Sequence, residues 1–217
     1  MSKKIMLLAL AAVSAAMFAL PAAASAQEWH IDNVASFSGT FGLSTLTAKE
    51  EPTITCEGPN HVTGSFDAGS TTTGKIHLDF TACHTKDPIF GSTIKCRTTG
   101  SALDNTITTN GTFHLVTIGN VKGILVTPEP TSVVCAGIST VKVAGNLLGT
   151  VTSPACETES TKIVTKFTSA GAVQEHKTYT GKTYNLTSQT GEGAIKEAGL
   201  NAEATLESAT PGKLTCT

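Results

Sequence analysis

Arginine is nearly missing from this chain: Arg97 is the only one among 217 residues. Neutralising phosphates and reading guanine both depend on dense Arg and Lys. No lysine run compensates, so nucleic-acid binding is disfavoured. Aromatic residues make up 5% of the chain, and Trp29, Tyr179 and Tyr184 are the only ones besides phenylalanine. A carbohydrate-binding face needs flat aromatic platforms. Trp29 is the one strong candidate, and it reads better as a plug for one end of the core. Linear signatures of chemistry are missing too. There is no His-Glu-x-x-His helix, Gly-x-Ser-x-Gly elbow, P-loop or EF-hand loop, and no Cys-x-x-Cys. No cofactor and no metal site is therefore expected.

What is present begins with an export signal. Lys3 and Lys4 are followed by an apolar run from Ile5 to Leu20, then Pro21 and the A-x-A site Ala24-Ser25-Ala26. This is the three-part secretory pattern. The run is short of the roughly 20 residues a spanning helix needs. Residues 1–26 are read as a cleaved signal-peptide helix, and residues 27–217 as a single β-rich extracellular domain. No cysteine stands directly after the cleavage site and no second long apolar run occurs, so no membrane anchor is expected in the mature chain. Removing Lys3 and Lys4 takes the formal charge from -2 to -4. The Ala-rich signal looks bacterial, so the sequons at Asn110-Gly-Thr112 and Asn185-Leu-Thr187 are not expected to carry glycans.

About one residue in six is threonine. Thr and Val favour a pleated, half-buried surface, and Gly and Pro mark the turns between strands. Lys75–Phe80, Thr112–Leu115, Thr140–Val143, Lys162–Phe167 and Leu200–Leu206 alternate apolar and polar with period two, the pattern of half-buried strands. Asn110-Gly111 reads as a two-residue hairpin turn. Glu192 to Glu207 reads as a short helical turn followed by a strand. The fold class is all-β: an antiparallel β-sandwich or flattened barrel with three disulfides.

An even count of six cysteines in an exported chain reads as disulfides. Fifteen connectivities are open. Local geometry puts Cys83, at the end of one strand, with Cys96 in the next. Closing that loop would stabilise by about 3 kcal/mol. Cys56–Cys135 and Cys156–Cys216 follow as the remaining pairs. The six histidines are scattered. His77 and Asp79 share a strand face, and His114 is placed on a neighbouring strand. That polar cluster could hold a metal or act as base and orienter, against the plainer reading of a wet sheet face. Carboxylate pairs such as Glu50-Glu51 and Glu157/Glu159 are not specific enough to indicate glycoside hydrolysis.

The segments Ile54-Thr55-Cys56, Leu78-Asp79-Phe80-Thr81-Ala82-Cys83, Cys96-Arg97-Thr98, Ile107-Thr108-Thr109-Asn110 and Val134-Cys135-Ala136-Gly137 form a recurrent pattern over roughly Thr53 to Pro154. The chain resembles an uncharacterised family of secreted, cysteine-containing, β-rich actinobacterial proteins. The C-terminal third departs from that pattern. The resemblance implies pairing within the first four cysteines, leaving Cys156 and Cys216 for each other. It implies no activity and no catalytic residue.

Three functions are consistent with these features. The leading one is a secreted, non-enzymatic binding or structural module of the cell exterior, with a cell-wall, extracellular protein or glycan partner. The second is a hydrolase with a non-linear site. The third is a small-ligand carrier with an apolar barrel cavity of several hundred cubic ångströms.

Overall fold

Period-two alternation runs almost unbroken along the chain, and extended backbone follows from it. The computed structural model describes residues 28–136 and 140–216. The expected signal peptide, residues 1–26, lies outside the described residues. Among the described residues there is no helix.

The strands are β1 (Trp29–Asp32), β2 (Ser36–Phe41), β3 (Ser44–Ala48), β4 (Ile54–Cys56), β5 (Asn60–Phe66), β6 (Thr73–Phe80), β7 (Cys83–Lys86) and β8 (Thr93–Thr98). They continue as β9 (Ile107–Ile118), β10 (Val121–Pro128), β11 (Thr131–Cys135), β12 (Thr140–Gly145), β13 (Leu147–Ser153) and β14 (Glu159–Phe167). Short hairpins β15 (Ser169–Ala170), β16 (Val173–Gln174), β17 (Thr178–Tyr179) and β18 (Lys182–Thr183) precede β19 (Leu186–Thr190) and β20 (Lys196–Cys216).

Antiparallel pairing closes on itself twice. One ring is β20-β2-β5-β6-β9-β10-β13-β14, returning to β20. The other is β20-β3-β4-β7-β8-β11-β12-β19, again returning to β20. The connectivity makes sense of this. Each up-or-down passage of the chain contributes one strand to each ring: β2 then β3, β4 then β5, β6 then β7, and so on. The two rings are therefore two tiers of one eight-passage meander. β20, 21 residues long, is the passage that crosses both tiers without a break. Closure removes the exposed edges an open sheet would leave. Of the two architectures expected, the barrel is the one that forms.

The waist between the tiers is held by buried amides. Asn60, fully buried, donates through Nδ2 to the Gly42 carbonyl at 2.6 Å and accepts at Oδ1 from the Thr81 N–H at 2.7 Å. It thereby ties three neighbouring passages where their ladders break. On the other side, the Gln174 amide accepts from Leu200 N–H and donates to Leu200 C=O at 2.9 and 3.1 Å. It satisfies β20 as a neighbouring strand would. Buried backbone groups need such partners.

The interiors are apolar. The first tier holds Phe41, Val62, Ile76, Phe113, Ile124, Val126, Val151 and Leu206. β1 pairs with the end of β20 and inserts Trp29, whose indole Nε1 donates to Gly123 C=O at 2.7 Å. Trp29 is 1% exposed, so it is the plug of the first tier and no carbohydrate platform. The second tier holds Ile54, Ile107, Val133 and four cysteines. The outer faces are polar. Along β6 and β9, Lys75, His77, Asp79, Thr108, Asn110, Thr112 and His114 point away from the core, opposite to the lipid-facing apolar band of a membrane barrel.

Three sequence expectations change. Asn110-Gly111 is no turn: both residues lie inside β9, neither has a positive φ, and the hairpin comes at Gly119-Asn120 instead. Glu192 starts no helical turn: Gly191 has φ 56° and a tight turn leads straight into β20. The cysteine pairing is Cys56–Cys83, Cys96–Cys135 and Cys156–Cys216, so of the expected pairs Cys83–Cys96 and Cys56–Cys135 do not form. The first four cysteines lie in one interior row across β4, β7, β8 and β11. Register alone would place Cys83 opposite Cys96. However, Cys83 turns its N–H toward the fourth passage, bonding Asn105 C=O at 2.8 Å. That is the wide, hydrogen-bonding side of a strand, where opposed Cα atoms sit about 5.5 Å apart. The disulfides join the narrow sides, with Cα–Cα 4.0 Å for Cys56–Cys83 and 4.1 Å for Cys96–Cys135.

Candidate functional site

Antiparallel register lines outward side chains up in rows across the first tier. One row is Ser38, Thr63, His77 and Asn110. The next is Ser36, Ser65, Lys75, Thr112 and Thr127. A third is Thr40, His61, Asp79 and Thr108. Where the fifth passage leaves one tier for the other, Pro128, Glu129 and Pro130 form a wall beside them. With that wall, Thr63, His77 and Asn110 of the first row and Ser65, Lys75, Thr112 and Thr127 of the second bound an open groove of about 770 Å³ on the outside of the barrel. Its polar side chains supply hydroxyl, amide and imidazole groups, one ammonium and one carboxylate; Ile76, Pro128 and Pro130 add apolar surface, and no Phe, Tyr or Trp lines it.

The groove side chains are cross-braced. His77 Nδ1 is 2.7 Å from Asn110 Oδ1, and its Nε2 is 3.3 Å from Asp79 Oδ2. The Thr108 hydroxyl donates to Asp79 at 2.9 Å. Thr131 donates to Thr109 at 2.8 Å, and Thr127 donates to Asn146 at 2.7 Å. The grid is consequently pre-ordered, which lowers the entropy a partner must remove on binding.

The structure joins two members of the expected polar cluster and separates the third. His77 and Asp79 are in contact. His114 faces Thr73, four positions along β9 from Asn110. At ~3.3 Å per residue that is about 13 Å. His114 instead contacts Glu28 at 2.7 Å. The two ring nitrogens of His77 are each directed at a side-chain oxygen, Asn110 Oδ1 and Asp79 Oδ2. Among the described residues no group of three or more His, Cys, Asp or Glu could hold a metal ion. Glu51 serves the second tier, accepting from the buried Ser188 hydroxyl at 3.0 Å with Lys196 3.8 Å away. Glu157 pairs with Lys213 at 3.3 Å.

A second exterior feature lies beside β9. Val116, Leu125 and Leu148 form an apolar patch on the outside of the first tier, covered by Tyr179 and Tyr184 from the segment between β14 and β19. The Tyr179 hydroxyl is buried and has no partner among the described residues. Burial first, then the Glu28 carboxylate and Tyr184, push its pKa above the usual tyrosine value. A raised acid pKa means the neutral form is favoured in the fold. The contribution to stability is complete below about pH 10 and lost as pH rises through the folded value. Spectrophotometric titration should show a late tyrosinate step that Tyr179→Phe removes. Persistence of that step in the variant would contradict the assignment.

Inside the barrel, the spaces are small. An apolar one bounded by Leu46, Ile54, Leu78, Ile107, Val133 and Leu186 is about 80 Å³, and another in the first tier is about 50 Å³. Small-molecule sites occupy roughly 300–1,000 Å³. The groove residues Thr63, Ser65, Thr112 and Thr127 were not singled out by sequence. The signal that could have found them is the polar residue at every second position of β2, β5 and β9, with Ser36, Ser38 and Thr40, then Thr63 and Ser65, then Thr108, Asn110 and Thr112.

These features define a class: a disulfide-braced, closed antiparallel β-barrel with a filled interior and a pre-ordered polar groove outside. No family model, curated protein or solved structure matches the chain.

Proposed function

We propose that this is an exported, non-enzymatic binding module of the cell exterior, belonging with the secreted actinobacterial proteins it resembles, and that it recognises its partner through the outer groove of the first tier. The observation that carries the reading is the groove itself: about 770 Å³ lined mostly by outward side chains that the core does not use. Three disulfides fit an oxidising compartment. Among the described residues no helix is long and apolar enough to cross a membrane. The lining offers donors and acceptors but no ring for sugar stacking. It therefore suits the polar edge of an extended polypeptide better than the face of a sugar.

A photo-crosslinking residue at Thr63, within the groove, tests this against the same residue at Lys166 on the opposite β14–β20 face. With cell-envelope fractions, one predominant adduct is expected from Thr63, none from Lys166, and the adduct should vanish when Thr112→Arg fills the groove. Equal labelling from both positions, or labelling insensitive to Thr112→Arg, would contradict it.

A further inference from the structure

The β7–β8 hairpin closes the outer end of the second tier and carries Ile89 and Phe90 at its apex, 80% and 82% exposed. They are the two most exposed large apolar side chains described. A mobile loop would hide such residues. This one is held open. The Asp87 carboxylate accepts the N–H of Ile89 at 2.8 Å and of Phe90 at 2.9 Å. Gly91 N–H bonds Asp87 C=O at 3.0 Å, and Asp87 N–H bonds Ser92 C=O at 2.8 Å. Pro88 has no N–H to satisfy. The entire apex from 87 to 91 therefore presents no unbonded backbone donor. That condition matters for entering an apolar medium, where an unpaired N–H is costly.

Charge sits immediately behind the apex. Lys86 and Lys95 point outward from the same hairpin, exposed, and among the described residues neither is ion-paired. Lys86 only donates to Thr93 across the hairpin, at 2.7 Å. The one acid of the hairpin, Asp87, is tied to the apex N–H groups, so Lys86 and Lys95 leave the hairpin net positive on a chain of formal charge -2. The β19–β20 connection closes the same end and exposes Ile195 by 69%.

We infer that this end of the barrel docks on an anionic lipid surface, with Ile89 and Phe90 entering the interfacial layer and Lys86 and Lys95 resting at the headgroups. The arrangement is convex, apolar at the point and cationic behind it, and a flat anionic layer meets both demands at once. A protein pocket would have to supply a deep apolar hole with an acidic rim. The surface is remote from the groove of the first tier, so it would leave that groove free.

Co-sedimentation of the mature protein with phosphatidylcholine vesicles, with and without phosphatidylglycerol, tests the inference. Binding is expected only to the anionic vesicles, and is expected to weaken as salt is raised. The double variant Ile89→Ser/Phe90→Ser should lower the partition coefficient at least about ten-fold. Its thermal midpoint should not fall, because both side chains already face solvent. Lys86→Gln/Lys95→Gln should weaken binding and flatten its salt dependence. Failure of the unmodified protein to bind anionic vesicles would overturn the inference, as would undiminished binding by the folded Ile89→Ser/Phe90→Ser variant. Neither outcome touches the crosslinking result at Thr63.

Discussion

Trp29→Ala is expected to lower stability by about 3–5 kcal/mol. Two effects combine. The indole fills the mouth of the first tier among Ile31, Leu115 and Ile124, so its removal leaves a cavity that a closed barrel cannot easily collapse. The Gly123 carbonyl also loses the indole donor that now sits 2.7 Å away, and a hydrogen bond of this kind contributes about 0.5–1.5 kcal/mol net. Phe at position 29 separates the two: it restores most of the volume but not the N–H. Urea unfolding should rank the native protein above Trp29→Phe and that above Trp29→Ala. A loss of less than about 1 kcal/mol in Trp29→Ala would mean that the indole is not the plug.

Removing either cross-strand disulfide of the second tier should be of similar size. The separations are 27 residues for Cys56–Cys83 and 39 for Cys96–Cys135. Loop-closure entropy gives about 3.5 and 3.9 kcal/mol for these in the chain-entropy model. The second tier depends on them more than the first tier would. Its cluster contains few large side chains, and four of its seven buried members are cysteines. Replacing Cys96 and Cys135 together by Ser should therefore lower the thermal midpoint by well over 5 °C for a chain of this size, at about 2–4 °C per kcal/mol. The paired replacement Cys96→Ser/Cys135→Ser avoids the stray thiol that a single substitution would leave. An unchanged midpoint would show that β8 and β11 are held by packing alone.

Much of the architecture is legible in the sequence, because one barrel face is buried and the pleat enforces period two. Lys75–Phe80 forms β6 with Ile76 buried and Lys75 exposed, and Leu200–Leu206 alternates within β20 as expected. Asn110-Gly111 misleads because the dipeptide is the strongest short hairpin signal. The apolar phase decides against it: Ile107, Phe113 and Leu115 share one face only if the strand runs straight through, and all three are buried. A turn at 110–111 would have put His114 on the same face as Ile107.

Cys156–Cys216 forms as expected, but the pairing of the first four cysteines was not legible, for a different reason. A cysteine in a closed sheet has two neighbouring strands, and which one it can bridge depends on where its N–H points. Ala82, with φ 52°, resets that direction just before Cys83, and nothing in the local sequence announces it. The groove was half legible. His77 with Asp79 follows from the strand period. Bringing Asn110, Thr127 and Glu129 beside them requires the long-range register of β6, β9 and β10, and the same register carries His114 away.

The most direct test of the eight-passage, two-tier barrel is a peptide map of the purified protein, digested without reduction. The account predicts Cys56–Cys83, Cys96–Cys135 and Cys156–Cys216 and no free thiol. A peptide joining Cys83 to Cys96 would contradict it, because β7 would then face β8 with its narrow side and the second ring could not close as described.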